Sequence, residues 1–437
     1  MPDLEGIGCD GRVADREYGG AVADRSDVVI VGGGIVGVCS AYFLAEQGAR
    51  VTLLERGEIC SGCSEGNAGW IFPSHSTPLP APGAMRKALG WLFDPASPFY
   101  IKLRLNLDLV RWLWIFARSC TESRARRTFE LNRELSLQSR TLYETLAALS
   151  GLEFDWTKEG LLLVCRTRAG LSEVEEELRL LKALGGEGRR LDGDETRELV
   201  PQLSAEIQGG IHYPADAHIQ PASFVRGIAA QCKRRGVRIL SGVEAIAFET
   251  SGSRISRVVA TKGDFKCDHV VLAGGAWSAG LVAPLGLRIP VESAKGYSVT
   301  FERPDDFGNI PMLLAEAKVG VSPCQGTLRF AGTLELAGLD LSINERRLRA
   351  ILDAGRLFLP GLPELVRLET WRGLRPCTPD DLPIIGRPHA VTNLVLATGH
   401  GMSGISQGPI TGKLVAELVS GDRPAVDLAP FSPDRFR

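Results

Sequence analysis

The 437-residue sequence has little imbalance of charge. Its 50 lysines and arginines stand against 52 acids, a formal net charge of −2, so it offers no basic field for a nucleic-acid backbone, and no nucleic-acid partner is expected. It also lacks any apolar run near the roughly 18 residues that a membrane-spanning helix needs, and a bilayer crossing is not expected. A cationic start followed by an apolar core is missing as well. Residues 1–25 carry Asp3, Glu5, Asp10, Asp15, Glu17 and Asp24 among glycines, which reads as a disordered extension and not as a secretory signal. Histidine is scarce, with six residues. The ten cysteines are scattered, Cys60-Ser61-Gly62-Cys63 being the one Cys-x-x-Cys pair. A zinc or iron–sulfur centre needs four ligands, so no metal is expected. The pair reads as small residues in a tight loop, and the thiols as the reduced ones of a cytoplasmic protein.

What is present is a dinucleotide-binding βαβ pattern. An apolar strand from Asp27 to Val31 meets Gly32-Gly33-Gly34-Ile35-Val36-Gly37, a helical stretch follows to Gly48, and a second strand ends in Glu55. Gly32 permits the tight turn, Gly34 lets the backbone approach a pyrophosphate, and Gly37 lets helix and strand pack closely. The helix that opens at Ile35 and Val36 would point its N-terminus at two phosphates. Glu55 would accept from a ribose 2′-hydroxyl and repel a 2′-phosphate, so FAD or NAD is expected rather than NADP. The C-terminal region argues for FAD. A strand from Asn393 to Thr398, the turn Gly399-His400-Gly401-Met402-Ser403-Gly404 and a helix through Val419 supply a second helix N-terminus, suited to the negative charge of a reduced flavin. Pro409 is read as lying in that helix's first turn.

Between these ends, strands are expected at Leu161–Cys165, Gly209–Pro214, Val237–Leu240, Val243–Ala247, Ile255–Ala260 and within Cys267–Gly275, with helices at Leu171–Leu184 and Pro221–Arg235. From 291 to 369 the pattern changes to strand-like Ser298–Phe301, Val319–Ser322 and Leu328–Leu334, then a helix at Glu345–Leu357. The expected fold class is α/β. A Rossmann-like FAD-binding domain would be assembled from separated segments, 26–89, 219–290 and 370–437, beside an α+β substrate domain with an antiparallel sheet, 90–218 and 291–369.

Several further stretches fall in a consistent order: Ser64-Glu65-Gly66-Asn67-Ala68-Gly69, Pro78-Leu79-Pro80-Ala81-Pro82-Gly83, Lys295-Gly296-Tyr297-Ser298, Gly332-Thr333-Leu334-Glu335 and Gly373-Leu374-Arg375-Pro376-Cys377-Thr378-Pro379-Asp380. From Ser26 to about Phe436 the chain resembles the FAD-dependent amino-acid oxidoreductases of the D-amino-acid oxidase superfamily, and within them the D-amino acid dehydrogenases. The resemblance implies that Glu55 and Arg56 meet the adenosine end of FAD and Val243 its adenine. It places Ser64, Asn67, Ala68 and Gly69 along the cofactor's central part and ring, with Gly274 and Trp277 lining it. His400, Gly401, Met402, Ser403 and Gly404 fall at the flavin's pyrimidine edge.

The substrate carboxylate needs an anchor. Arg375 has the planar fork for it and occupies the position of the carboxylate-binding arginine in related oxidases; Arg372 is the weaker candidate. His75 lies in a loop expected near the flavin ring, and Tyr297 is a further candidate for substrate contact. Glycine oxidase carries a tyrosine where this chain has Gly320, which implies a roomier pocket here. Ala215-Asp216-Ala217-His218-Ile219-Gln220-Pro221 resembles relatives acting on D-hydroxyproline. The expected activity is oxidative deamination of a D-amino acid to a 2-oxo acid by hydride transfer from Cα to flavin N5. A secondary amino acid as substrate, and a non-catalytic flavin subunit, stand as alternatives. Electrons would pass to quinone, another carrier or oxygen. The aromatic segment Leu107–Phe116, flanked by Arg104, Arg111 and Arg118, reads either as core or as a peripheral contact with the inner face of the cell membrane.

Overall fold

The computed structural model describes residues 26–74, 78–85, 97, 99–102, 104 and 106–437; the 1–25 extension and His75 lie outside them. Five parallel strands form the centre of one sheet, in the order Arg238–Ser241, Val51–Glu55, Ser26–Val31, Gly263–Leu272 and Leu394–Thr398. Numbered along the chain they lie 3-2-1-4-5, the doubly wound arrangement that opens a crevice beyond the strands' carboxyl ends. These strands are continuous apolar runs because both faces are covered; Val29, Ile30, Leu53 and Val271 are all fully buried. Ala245–Ser251 and Arg254–Ala260 extend the sheet as an antiparallel meander, and Ile384–Gly386 pairs antiparallel with Leu394–Thr398.

Helix Ile35–Glu46 is apolar on all sides and is accordingly sandwiched, sharing one core with the sheet and with helices Pro221–Arg234 and Gly404–Ser420. Its contact with the last helix depends on Gly412, where an added Cβ would sit 2.5 Å from the backbone carbonyl carbon of Cys39. The last helix begins at Gly404, so Pro409 falls in the second turn and not in the first as expected. Proline has no N–H to give the carbonyl four residues back. That carbonyl, on Ile405, accepts instead from the buried Tyr143 hydroxyl at 2.7 Å.

A second sheet of nine strands is largely antiparallel. Arg367–Cys377, Glu292–Glu302, Thr327–Leu336, Val319–Cys324 and Met312–Leu314 run side by side, continued by Leu161–Cys165, Gly209–Tyr213 and Arg189–Asp192, with Phe99–Ile101 on Thr327–Leu336. Helix Glu345–Phe358 covers it through Leu348, Ile351 and Phe358. The class expected from the sequence, a Rossmann-like unit with an α+β partner, is what the chain forms.

Two stretches sit otherwise than the expected division. Helix Glu122–Ala147, grouped above with the substrate unit, packs on Gly404–Ser420; Gln407 Nε2 donates to Asn132 Oδ1 at 3.1 Å, and Tyr143 and Leu146 join the core around Val28 and Ile30. Strand Arg367–Cys377, grouped in large part with the nucleotide unit, pairs along its length with Glu292–Glu302 of the second sheet. Edge-on pairing outweighs chain proximity in both cases, because a strand's amides and a helix's apolar stripe need partners wherever these lie.

Tyr143→Phe should leave the Ile405 carbonyl buried without a donor, at a cost of about 1–3 kcal/mol, read as a lower urea midpoint of the FAD-loaded protein. An unchanged midpoint would show that this bond does not replace the one proline removes.

Candidate active site

The carboxyl ends of the parallel strands open into a cavity of about 400 Å³. Gly32, Gly34, Ile35, Val36, Glu55, Arg56, Ser64, Asn67, Val243, Gly274, Trp277, His400, Gly401 and Gly404 all line it. Gly37 and Gly69 do not, and their work is in the backbone. A Cβ on Gly37 would stand 1.9 Å from the Gly32 carbonyl oxygen, and Gly69, at φ +82°, packs where a Cβ would lie 2.1 Å from the Ile219 carbonyl. The Glu55 carboxylate is held by the amides of Gly33 at 2.6 Å and Gly57 at 2.9 Å, which leaves acceptor capacity for a hydroxyl. Ser64 Oγ accepts from the Ile35 amide at 3.1 Å, capping the first helix from a distant loop. The Arg56 guanidinium lies 3.6 Å over the Trp277 ring.

The donor set fits FAD. Beside Gly275 an added Cβ would meet nothing within 4 Å, and beside Gly34 only Ser64 Oγ at 3.4 Å, so the backbone lies open to the cavity. Helix Gly404–Ser420 has no side-chain cap among the described residues, and its orphan amides face the same space. His400 bonds Thr411 Oγ1 through Nε2 at 2.9 Å; burial lowers it to about 3, which keeps the ring neutral.

A second cavity, of about 300 Å³, adjoins the first, and Cys63 and Asn67 line both. The Gly401–Gly404 turn is shared out between them: Gly401 and Gly404 face the nucleotide side, Met402 and Ser403 this one, together with Ala68. Its walls are apolar, formed by Trp70, Phe72, Leu79, Phe99, Leu313, Leu334 and Trp371, with Arg375, Lys318, Asn132, Thr333 and Asp381 as the polar additions. Arg375 projects across Gly296, where a Cβ would lie 2.1 Å from Nη1, and donates from Nη1 to the Thr333 carbonyl at 2.7 Å. Thr333 stands at φ +67°, at a register shift between Thr327–Leu336 and Glu292–Glu302. Such bulges re-aim side chains beside functional sites, and this one turns a carbonyl toward the guanidinium.

Three expectations change. Gly320 does not make the pocket roomier, because the Trp70 ring fills the place a side chain would take, 2.7 Å from an added Cβ, and Trp70 Nε1 bonds Ser322 Oγ at 2.8 Å. Tyr297 is buried in the second sheet's core and donates to Glu335 at 2.9 Å, away from the cavity; the alternation of its strand turns it to the covered face. Arg372 is on the exposed side of its strand, with Nε on the Leu341 carbonyl.

Sequence reading missed Arg329, Trp371, Lys318, Asn132 and Asp381. Arg329 is almost wholly buried, and its Nη1 donates to the carbonyls of Glu65 at 3.0 Å and Asn67 at 2.9 Å while Nε meets Thr300 Oγ1. A lone charge in the apolar strand Leu328-Arg329-Phe330 was the available signal. Cys60 and Cys63 are unpaired thiols pushed up by burial, Cys60 to about 12, and so are inert as nucleophiles. Among the described residues no cluster could hold a metal ion.

A nucleotide cavity at a doubly wound sheet, joined to an apolar cavity with a guanidinium, defines a two-unit flavin-dependent oxidoreductase. The model of the FAD dependent oxidoreductase family, DAO, matches residues 27–418, and the chain belongs to that family. It is 32% identical over 416 residues to a D-amino acid dehydrogenase of Neisseria meningitidis serogroup C (strain 053442), covering 94% of this chain and 99% of that one. It is 34% identical over 417 residues to a D-amino-acid oxidase of Bradyrhizobium diazoefficiens, covering 94% and 98%. Among solved structures, glycine oxidase from Geobacillus kaustophilus matches with a TM-score of 0.77 and 25% identity over 94% of this chain and 99% of that chain. The protein is an FAD-dependent enzyme that oxidises amino acids.

Arg329→Met should release the carbonyls of Glu65 and Asn67 and loosen the loop that borders both cavities. The expected outcome is flavin lost on gel filtration under conditions where the native protein keeps it, measured by the 450 nm absorbance per protein.

Proposed function

We propose that the protein deaminates D-amino acids with apolar side chains to 2-oxo acids. The observation that carries this reading is the meeting of the two cavities at Cys63 and Asn67, with Arg375 on the apolar side. FAD, when bound, supplies the acceptor for the hydride that leaves Cα. The chain's own residues do the rest. Arg375 is positioned to bind the substrate carboxylate through its second guanidinium nitrogen, since Nη1 is engaged by Thr333. Trp70, Phe72, Leu313 and Trp371 surround an apolar side chain and exclude water. The product iminium is released and hydrolysed. The D configuration is supported by the two curated relatives.

The secondary-amine alternative draws no support from the Asp216–His218 stretch. Asp216 Oδ1 accepts from the Ser74 amide at 3.0 Å and His218 Nε2 contacts the carbonyl of Pro323, in strand Val319–Cys324, at 2.6 Å, so both side chains are engaged in the scaffold and neither borders the cavity.

Helix Leu107–Ser119 serves both readings given above. Leu109, Trp112 and Phe116 are core, while Leu107, Val110 and Trp114 are 87%, 60% and 58% exposed. No helix among the described residues is long and apolar enough to cross a membrane. The outward apolar face, with Arg111 and Arg118 beside it, supports a shallow contact with an anionic membrane, where a quinone would take the electrons.

Arg375→Leu should keep FAD and raise the apparent KM roughly 10- to 150-fold, the equivalent of a lost charged hydrogen bond of about 1.5–3 kcal/mol; an unchanged KM removes Arg375 from the site. Anaerobic bleaching of the flavin by D- but not L-amino acids, followed by faster reoxidation with quinone than with oxygen, is the direct test of the whole reading. In liposome flotation the native enzyme should rise with anionic vesicles and a Leu107→Glu/Trp114→Glu variant should not. Failure of the native enzyme to float overturns the membrane contact alone.

A further inference from the structure

Asp381 follows the carboxylate-anchor strand and closes the apolar cavity at the side of the Gly401 turn. It stands at φ +58°, a conformation that glycine adopts freely and that a side chain enters at some cost. What holds it there is local and specific. Its backbone carbonyl accepts from Asn132 Nδ2 at 3.0 Å, and its Oδ2 accepts from the Leu79 amide at 3.0 Å. Oδ1 receives no hydrogen bond from the described residues and lies 3.2 Å from where a Cβ on Gly401 would be. The carboxylate is therefore fixed by one oxygen and offers the other at the wall between substrate and flavin.

Among the described residues, the groups facing it leave it the one acid on an otherwise cationic or neutral lining. Arg375 and Lys318 line the same cavity. The next residue back, Asp380, is turned away and bound by Arg435 at 2.8 and 3.0 Å. Cys377 is a protonated thiol, raised by burial, and His400 in the adjoining turn is neutral. From helix Glu122–Ala147 come the uncharged Thr128 and Asn132. Burial pushes the Asp381 carboxyl up to about 7, the Leu79 amide working against the rise and Asp380 adding to it.

An amino acid arrives as a zwitterion, and hydride can leave Cα only once the nitrogen lone pair is free to form the C=N bond. With the carboxylate drawn to Arg375, the described residues that line the cavity hold a single counter-charge for the ammonium. We propose that Asp381 is the amine-side catalytic residue, accepting through Oδ1 one proton from the bound substrate's ammonium. In this step an N–H bond breaks, an O–H bond forms on the carboxylate, and no electrons move between partners. The neutral amine then expels hydride from Cα to the flavin, its lone pair making the iminium, and the carboxyl returns its proton to water when product leaves. This assignment rests on the reading of the reaction given above.

Asp381→Asn keeps the shape without the base, and Asp381→Gly suits the backbone angle, so both should fold with FAD bound. A carboxyl raised to about 7 in the native state holds a proton that the unfolded chain has lost between about pH 4 and about pH 7. It therefore weakens the native fold as pH rises through that window, and both variants should melt higher than the native enzyme at about pH 8 but not below about pH 4. The decisive measurement is anaerobic flavin reduction by D-methionine or D-leucine, from about pH 6 to about pH 10. At neutral pH the variants should reduce roughly 100-fold more slowly per unit substrate, in the range of general base catalysis. They should recover toward the native rate as pH approaches the substrate's own ammonium ionisation. Native and variant profiles of the same shape would show Asp381 to be structural and overturn the assignment while leaving the reaction intact. If no D-amino acid bleaches the native flavin, the functional reading fails and the assignment falls with it.

Discussion

The guanidinium of Arg329 decides where the two cavities meet. It is buried in the second sheet, yet its hydrogen bonds run to carbonyls of the Glu65–Asn67 loop, which belongs to the nucleotide side of the molecule. A buried charge of this kind is costly unless its donors are used, and here the loop's carbonyls supply acceptors. The same loop sends Ser64 back to cap the first helix and sets Gly66 against the face of Trp371, so tightly that a Cβ would lie 2.1 Å from the ring. Cofactor turn, loop and substrate sheet are thus tied by one chain of contacts, and Asn67 borders both spaces as a result.

Within the substrate sheet the geometry depends on an irregularity. A regular ladder would point the Thr333 carbonyl along the sheet; the shift in register at this residue and its positive φ turn it to Arg375 instead. Gly296, directly below, leaves the room the guanidinium occupies. Nearby, the buried Lys295, Glu335 and Tyr297 hydroxyl, joined by the part-exposed Asp340, form a network that stabilises the strands that carry the bulge. These charges satisfy one another and leave the cavity its own, smaller set of polar groups.

That set is asymmetric. Apolar aromatic walls lower the local dielectric, so each charge in the cavity acts strongly on a bound zwitterion. The Arg375 guanidinium and the Asp381 carboxylate both border the cavity, among walls that are otherwise mainly apolar. The family's redox chemistry needs this orientation more than it needs acid–base groups in number.

The nucleotide-binding half was legible in the sequence because its chemistry is local. Gly37 meets a demand set by Gly32 five positions back, Gly32 and Gly34 belong to the same strand–turn–helix pattern, Glu55 ends the very next strand, and the C-terminal turn carries its helix with it. Arg375 was legible through its motif. The sequence alone therefore determined the cofactor class and the fold class. The second cavity was decided only in three dimensions. Trp70 fills the space left by Gly320 from some 250 residues away in sequence, Tyr297 falls on the face of its strand that the second core covers, and helix Glu122–Ala147 joins the nucleotide core through Tyr143 and Leu146, with the Tyr143 hydroxyl on the Ile405 carbonyl. Asp381 drew no notice as one acid beside another; only the packing of Leu79, Asn132 and the Gly401 turn around it distinguishes it from Asp380. Periodicity records which face of an element is apolar, and it carries no record of which distant element will cover that face.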